Sequence, residues 1–223
     1  MSPTPSGQLE ELRPALEAVY RLYAGLTRTM DPEAALGGKL VYAGELDAEG
    51  CRLVRAANIA GAASLGATAD AAAQRQAIRD GVIDFLVNSL EEALRILKNE
   101  IRKHNAVAVG VGLAPARVAA EMRERGVLPD LLRPSARAEE LADFVAQGAR
   151  FVAPEEIRAG HEFCMIADAP PDFEARALEM IPESDYAARR WLRLSPRFLG
   201  PQMRRVRSLA CAADAAAALI THH

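Results

Sequence analysis

The side chains best suited to chemistry are three cysteines and two internal histidines, and they lie far apart in the sequence. The cysteines are Cys51, Cys164 and Cys211, and no C-x-x-C pair occurs, so the sequence predicts neither a disulfide framework nor a zinc site. His104 and His161 have no serine, cysteine or carboxylate at a spacing that would fix a catalytic triad. His161 and Cys164 are three residues apart, and such residues point to opposite faces of a strand. We therefore expect no metal site and no general base from either histidine.

An acidic turn, residues 44–50, is the second feature whose side chains could bind a ligand or an ion. Glu45, Asp47 and Glu49 stand between Gly44 and Gly50, immediately before an amphipathic segment. Carboxylates are favourable at the N-terminus of a helix, so the simplest interpretation is a helix cap. Binding of a cation is the alternative.

Arginines dominate the segment from Ser184 to Arg207, where Asp185 is the single acid. The seven are Arg189, Arg190, Arg193, Arg197, Arg204, Arg205 and Arg207. Such a cluster can hold phosphates or carboxylates, or contact a nucleic-acid backbone. We favour a solvated helix paired with Glu179, Glu183 or the acidic turn. The net charge of −3 gives no overall attraction to nucleic acid, which is therefore not an expected partner.

The elements that must position these residues follow an alternating pattern. From Lys39 to Leu113, short apolar runs such as KLVYA, SLGAT, VIDFLV and AVAVGVGL alternate with amphipathic stretches. This pattern indicates βαβ units, and it predicts an α/β fold with a doubly wound, mainly parallel sheet and helices on both faces. Ser89 and Glu92 form a predicted capping box, and Gly126 and Gly148 are predicted to end two helices.

The predicted domain organisation has one main unit. Residues 1–35 form an N-terminal extension with a helix from Pro14 to Leu26, in which Pro14 occupies the first turn. Residues 36–210 form one compact domain, with 150–210 as extra strands and covering helices, or alternatively a small separate lobe. Residues 211–223 form a C-terminal helix and tail.

Asp70 follows the second predicted strand, 20 residues beyond Gly50. A carboxylate at about this interval binds the adenosine ribose in Rossmann domains. An acidic residue that begins a helix is the alternative.

Three collinear stretches resemble urocanase, the enzyme that hydrates urocanate with a tightly bound NAD+. The first runs from LGGKLVYAG (36–44) to DFLVNSLEEAL (84–94), and the second is VGVGLAPARVAAEMRERGVLPD (109–130). The third runs more faintly from Glu162-Phe163-Cys164 to Arg204. The resemblance implies a Rossmann-like core that binds NAD through Gly44, Gly50, Asp70 and Gly110. It also implies that Cys164 lies near the nicotinamide and that Arg204 belongs to the site.

The sequence differs from the family pattern at the loop that binds the cofactor. The family's glycine run A-G-L-G-G-M-G-G reads Ala43-Gly44-Glu45-Leu46-Asp47-Ala48-Glu49-Gly50 here. Added carboxylates repel a pyrophosphate, and side chains fill space that glycines leave open. The family's Gly-Asn after the later strand is Leu113-Ala114, and its acidic, histidine-bearing segment is shortened to LLRPSARAEE.

We therefore expect a urocanase-like protein with lost or altered NAD binding and without full hydratase activity, acting in small-molecule binding or assembly. One alternative is an active hydro-lyase on urocanate or a related small carboxylate. Its arginine face would bind the substrate carboxylate, Cys164 or His161 would lie near the reacting atoms, and Arg204 would belong to the same pocket. The other alternative is an interaction module that uses the arginine-rich helix. The expected partners are a small anion and a second copy of the chain.

No apolar stretch approaches the roughly 20 residues that span a bilayer, and residues 1–14 lack a basic segment followed by an apolar one. Together with the unpaired cysteines, this predicts a cytoplasmic location without a membrane partner.

Overall fold

The structure, a computed structural model, describes residues 5–28, 30–134, 138–203, 205–213 and 215. Its helices are α1 (Pro5–Thr27), α2 (Ala48–Ala60), α3 (Ala71–Arg79), α4 (Leu90–Arg102), α5 (Pro115–Glu124), α6 (Ala142–Ala146), α7 (Phe173–Met180) and α8 (Tyr186–Phe198). Its strands are β1 (Leu40–Glu45), β2 (Ala63–Ala67), β3 (Phe85–Val87), β4 (Ala108–Val111), β5 (Leu131–Leu132), β6 (Arg150–Phe151), β7 (His161–Ala167) and β8 (Val206–Ala212). Short 3-10 helices cover Ala138–Leu141 and Pro201–Met203.

Strands β1 to β6 form one parallel sheet in the order β3-β4-β2-β1-β5-β6, which confirms the predicted α/β fold. The chain steps from β1 to β3 in one direction and then returns through β4 to β5 and β6. Because parallel crossovers are right-handed, this reversal places α2 and α3 on one face and α4, α5 and α6 on the other. Two separate apolar clusters, one on each face, match this arrangement.

Local capping fixes the helix ends much as the sequence predicts. Ser89 Oγ accepts a hydrogen bond from the Glu92 amide at 3.2 Å. The Glu92 carboxylate accepts from the amide of Asn88 at 3.1 Å instead of from Ser89, so the capping box is shifted by one residue on that side. Gly126 and Gly148 have positive φ angles of 64° and 106° directly after α5 and α6, as predicted for glycines that end helices.

Helix α1 begins earlier than predicted, at Pro5, and Pro14 lies inside it instead of in its first turn. Proline removes one helical hydrogen bond, yet the helix continues because it buries an apolar seam on both sides of that position. The seam residues recur at alternating spacings of three and four: Leu9, Leu12, Leu16, Val19, Tyr23 and Leu26. Tertiary packing therefore overrides the local cost of the proline.

Residues after 152 do not extend the main sheet with further strands. β7 and β8 pair antiparallel in a separate two-stranded sheet, which packs on α1 and α8. Cys211 and Ala212, which the sequence assigned to a C-terminal helix, are instead the last residues of β8. Residues 216–223 of that predicted helix and tail lie outside the described residues.

Trp191 of α8 joins this outer layer to the core. Its side chain is fully buried, and its indole Nε1 donates to the Ser208 carbonyl at 2.9 Å. Tyr20 meets it edge-on with ring centroids 5.0 Å apart, and the Tyr23 hydroxyl donates to the Ala187 carbonyl at 2.7 Å. One aromatic group thus connects α1, α8 and β8.

Replacing Trp191 should destabilise the whole outer layer. We expect Trp191→Ala to lower the free energy of unfolding by about 3–5 kcal/mol, because it opens a large cavity. Trp191→Phe should cost less, because it keeps most of the packing and loses the hydrogen bond. Tyr186→Ala on the same helix is the control, since half of Tyr186 is exposed, and it should change stability by less than about 0.5 kcal/mol. Urea unfolding followed by circular dichroism measures these values, and a Trp191→Ala cost equal to that of the control would contradict the role of Trp191.

Candidate functional site

The candidate site lies at the carboxyl edge of the sheet, where the strand order reverses. The chain leaves β1 toward β2 on one side and leaves β5 toward β6 on the other, although β1 and β5 are neighbours. Ligands of open α/β sheets bind in the crevice that forms at such a point. A cavity of about 550 Å³ lies here, and its lining includes Tyr42, Gly44, Glu45, Asp47, Glu49, Pro115, Arg133, Glu140 and Leu141.

Arg133 crosses this crevice and joins the two strand ends. Its two terminal nitrogens contact the two oxygens of Asp47 at 2.8 and 3.0 Å, which is bidentate pairing. The same guanidinium reaches Glu49 at 3.3 Å and the Glu45 carbonyl at 3.1 Å. Only 18% of the Arg133 side chain is exposed, so the pair is partly shielded from water. Two of the three acids in the turn are therefore in contact with one arginine that follows β5.

Asp47 caps α2, as the simplest interpretation of the acidic turn predicts. Its Oδ1 accepts from the Gly50 amide at 2.8 Å, and its backbone is extended as expected for an N-cap. Burial by itself would raise the pKa of Asp47, but hydrogen bonds from Arg133 and from the Gly50 and Glu49 amides outweigh it and lower the pKa. Asp47 is thus held as an anion on the first amides of α2.

Leu46 fills the space beneath the turn. It is 3% exposed and lies against Gly66 of β2 and Gly110 of β4. A Cβ atom on Gly66 would collide with the Leu46 side chain, and one on Gly110 would lie 2.7 Å from Ile83 and 3.3 Å from Leu46. These glycines therefore make room for an internal side chain. The family pattern has glycine at the position of Leu46, so this packing replaces open space.

The residues predicted to bind the cofactor do not lie together in one site. Gly44 has a positive φ of 66° with no atom within 4 Å of a Cβ built on it, and it lines the crevice. Gly50 is packed against the Glu45 carbonyl inside the first turn of α2. Gly110 lies within the sheet beneath Leu46. Asp70 caps α3 by accepting from the Ala72 amide at 2.7 Å, and it is not among the residues that line the crevice.

Cys164 lies outside the crevice, on β7. It is buried among apolar side chains of α7 and α8, and so is Cys211 of β8. In the strand register Cys164 faces Leu209 and Cys211 faces Glu162, so the two cysteines are diagonal neighbours on one face. A hydrogen bond with Cys211 lowers the pKa of Cys164 despite burial. Arg204, the other predicted catalytic residue, lies outside the described residues.

The arginine-rich helix uses two of its arginines internally. Arg189 Nη1 donates to the Leu178 and Ile181 carbonyls at 2.8 and 2.9 Å, at the end of α7. Arg190 Nε donates to the Ile59 carbonyl at 2.7 Å, at the end of α2. The predicted pairing of these arginines with acidic side chains is wrong, because helix C-termini supply negatively polarised carbonyls at closer range. Arg193 and Arg197 are exposed.

Within the described ranges, no group of three or more histidine, cysteine or acidic side chains could hold a metal ion. No helix in the same part of the chain is long and apolar enough to cross a membrane.

The sequence did not single out Arg133, although a usable signal existed. Arg133 directly follows β5, and a polar side chain after a parallel strand lies at the carboxyl edge. Its partners are 84 to 88 residues away, so no local pattern connects them.

Asp47 should make stability depend on acid pH. Its lowered pKa means that its contribution is complete above the ordinary carboxyl pKa of about 4 and is lost as the pH falls through its own lower value. We expect Asp47→Asn, which keeps a capping oxygen, to be about 1 kcal/mol less stable than wild type at pH 7 and equally stable below that pKa. Asp47→Ala should lose about 1 kcal/mol more at every pH, because the cap is also removed. Urea unfolding from pH 7 down to a pH below the lowered pKa of Asp47 tests this, and a gap between wild type and Asp47→Asn that stays constant over the whole range would exclude the charge effect.

The fold agrees with a comparison against families of known proteins. Residues 18–178 match the model of the Urocanase family, described as the Urocanase Rossmann-like domain. The match covers well over half of the 223 residues. By this match, the chain belongs to the urocanase family through its Rossmann-like domain.

Proposed function

We propose that this protein is a urocanase-family scaffold that has lost the family's NAD binding, and with it full urocanate hydratase activity, and that it binds a different small molecule in the crevice. The bidentate ion pair between Arg133 and Asp47 over the N-terminus of α2 is the observation that carries this proposal.

The donor set at the turn does not fit a pyrophosphate. A Rossmann domain binds that group on the first amides of a helix, reached through glycines that keep side chains away. Here the Gly50 amide already donates to Asp47, and the positive charge of Arg133 is already paired with Asp47 and Glu49. A pyrophosphate would have to displace two carboxylates from an arginine and an amide, so its binding is strongly disfavoured.

Loss of the cofactor implies loss of the family reaction. In urocanase, NAD+ acts as the electrophile that activates the imidazole of urocanate for addition of water. Cys164, which the resemblance places near the nicotinamide, lies in the apolar layer of β7 and β8, away from the crevice. These positions support a binding role over hydration.

The charge of the crevice favours a cationic or uncharged polar ligand. Glu45, Asp47, Glu49 and Glu140 line it, and Arg133 is the one base among the described residues of its lining. Among the described residues Glu45 forms no ion pair with its side chain, so its charge remains available to a ligand at the mouth of the crevice. A free amine could pair with this carboxylate, whereas a carboxylate ligand would be repelled.

Loss of NAD binding can be tested on the purified protein. Native mass spectrometry should find no co-purified dinucleotide, calorimetric titration with NAD+ should give no binding heat, and urocanate should not be consumed. The variant E45L/L46G/D47G/E49G restores the family's residue types at four positions of the turn, and we expect it alone to gain measurable NAD+ binding. E49Q is the control that removes one charge and keeps the Asp47 pair. Stoichiometric NAD in the wild-type protein would refute the proposal.

The ligand charge can be tested with matched small molecules. Histamine and imidazole-4-acetate share a ring and differ in the charge of the side chain. A ligand that binds the native state stabilises it, so we expect histamine to raise the melting temperature of the protein. Imidazole-4-acetate should leave the melting temperature unchanged. Glu45→Gln should abolish the increase that histamine causes. Equal shifts with both compounds, or an unchanged shift in Glu45→Gln, would count against a cation-selective crevice.

A further inference from the structure

A second cavity lies on the opposite side of the acidic turn. It has a volume of about 350 Å³, is open to solvent on one side and is bounded by α1, α2, α3 and the segment 199–203. Most of its wall is apolar and includes Leu16, Val19, Val82, Leu199 and Met203. Small-molecule sites are commonly apolar cavities of this order of size with a few polar groups that fix orientation.

The polar groups of this cavity are dominated by two arginines of α2. Arg52 and Arg55 are three residues apart and line the same wall. Neither forms an ion pair with any residue that the structure describes. Arg55 Nη2 donates to the Asp80 carbonyl at 3.1 Å, while its Nε is buried without a hydrogen-bond partner in the described part of the chain. Guanidinium groups bind carboxylates through charge-assisted hydrogen bonds, so this wall is suited to an anion.

The carboxylates nearest to these arginines are engaged elsewhere. Asp47 is held by Arg133 and by the Gly50 amide, and Asp80 Oδ1 accepts from Gln76 at 2.8 Å. Burial lowers the pKa of Arg55, and the nearby charge of Asp80 offsets part of this effect. The cavity therefore combines an apolar body with two guanidinium groups in one wall, neither of which forms an ion pair with a described residue.

We propose that this cavity binds a small monocarboxylate with an apolar body. The carboxylate accepts hydrogen bonds from the guanidinium groups of Arg55 and Arg52, and the apolar body packs against Leu16, Val19 and Met203. A nucleotide or another polyanion suits the cavity poorly, because the volume is small and most of the wall cannot solvate charge. This site is separate from the crevice and does not depend on the function proposed for it.

Benzoate and hexanoate are the probes, and benzamide is the neutral control with the shape of benzoate. We expect calorimetry to detect binding of both carboxylates, with affinity for benzamide at least tenfold weaker. Arg55→Met should weaken benzoate at least tenfold, whereas Arg75→Met, an exposed arginine of α3 outside the cavity, should change nothing. If Arg55→Met does not fold, Ala73→Phe fills the cavity without removing either arginine and should abolish binding.

Cys51 supplies a second readout that locates the ligand. Its thiol is half-buried in the cavity wall, whereas Cys164 and Cys211 are buried elsewhere. Saturating benzoate should slow alkylation of Cys51 severalfold, as measured by peptide mass spectrometry, and benzamide at the same concentration should not. No binding of either carboxylate, equal binding of benzoate and benzamide, or unchanged binding in Ala73→Phe would overturn the proposal. These outcomes are independent of histamine binding in the crevice.

Discussion

The first turn of α2 has backbone amides that no helical carbonyl can satisfy, and they lie where β1 and β5 diverge. Some negative group must be placed there. In a dinucleotide-binding Rossmann domain the ligand supplies it, whereas here the chain supplies it through Asp47. Arg133 then balances the added charge and joins the end of β5 to the end of β1. The shape of the crevice and its charge both follow from this substitution of an internal carboxylate for a ligand's phosphate.

The layers around α2 explain why a second cavity exists at all. α2 is rich in small residues, so it lies close to the sheet on one side and to α1 and α8 on the other. Its buried residues include Ala56, Ala57 and Ala60, and longer side chains would separate these layers. Arg52 and Arg55 of α2 line the space between α1 and α3, and side chains do not fill this space completely. Asp47 lines both cavities, so the turn that contains it separates two sites with opposite charge preferences.

Much of the fold follows from local signals. Short apolar runs predicted the central strands, and Ser89, Gly126 and Gly148 were correctly assigned to helix ends. The cap formed by Asp47 was also within reach, because an N-cap bonds an amide only three residues away. The early start of α1 was missed because proline is favoured in the first turn of a helix, so Pro14 was taken as its beginning. Leu9 and Leu12, which continue the buried seam, show that the helix begins earlier.

The site was only partly predictable, since its key interactions join residues distant in sequence. The turn and its departure from a glycine run were visible, but the pairing of Arg133 with Asp47 depends on two strands becoming neighbours. Arg189 and Arg190 were expected to pair with acids, and packing instead brought them to carbonyls at the ends of α7 and α2. The sequence by itself determined strands β1 to β4, several helix caps and the family. Only the tertiary structure decided which charges meet and where cavities remain, because helix packing and strand order bring together side chains that the linear chain keeps apart.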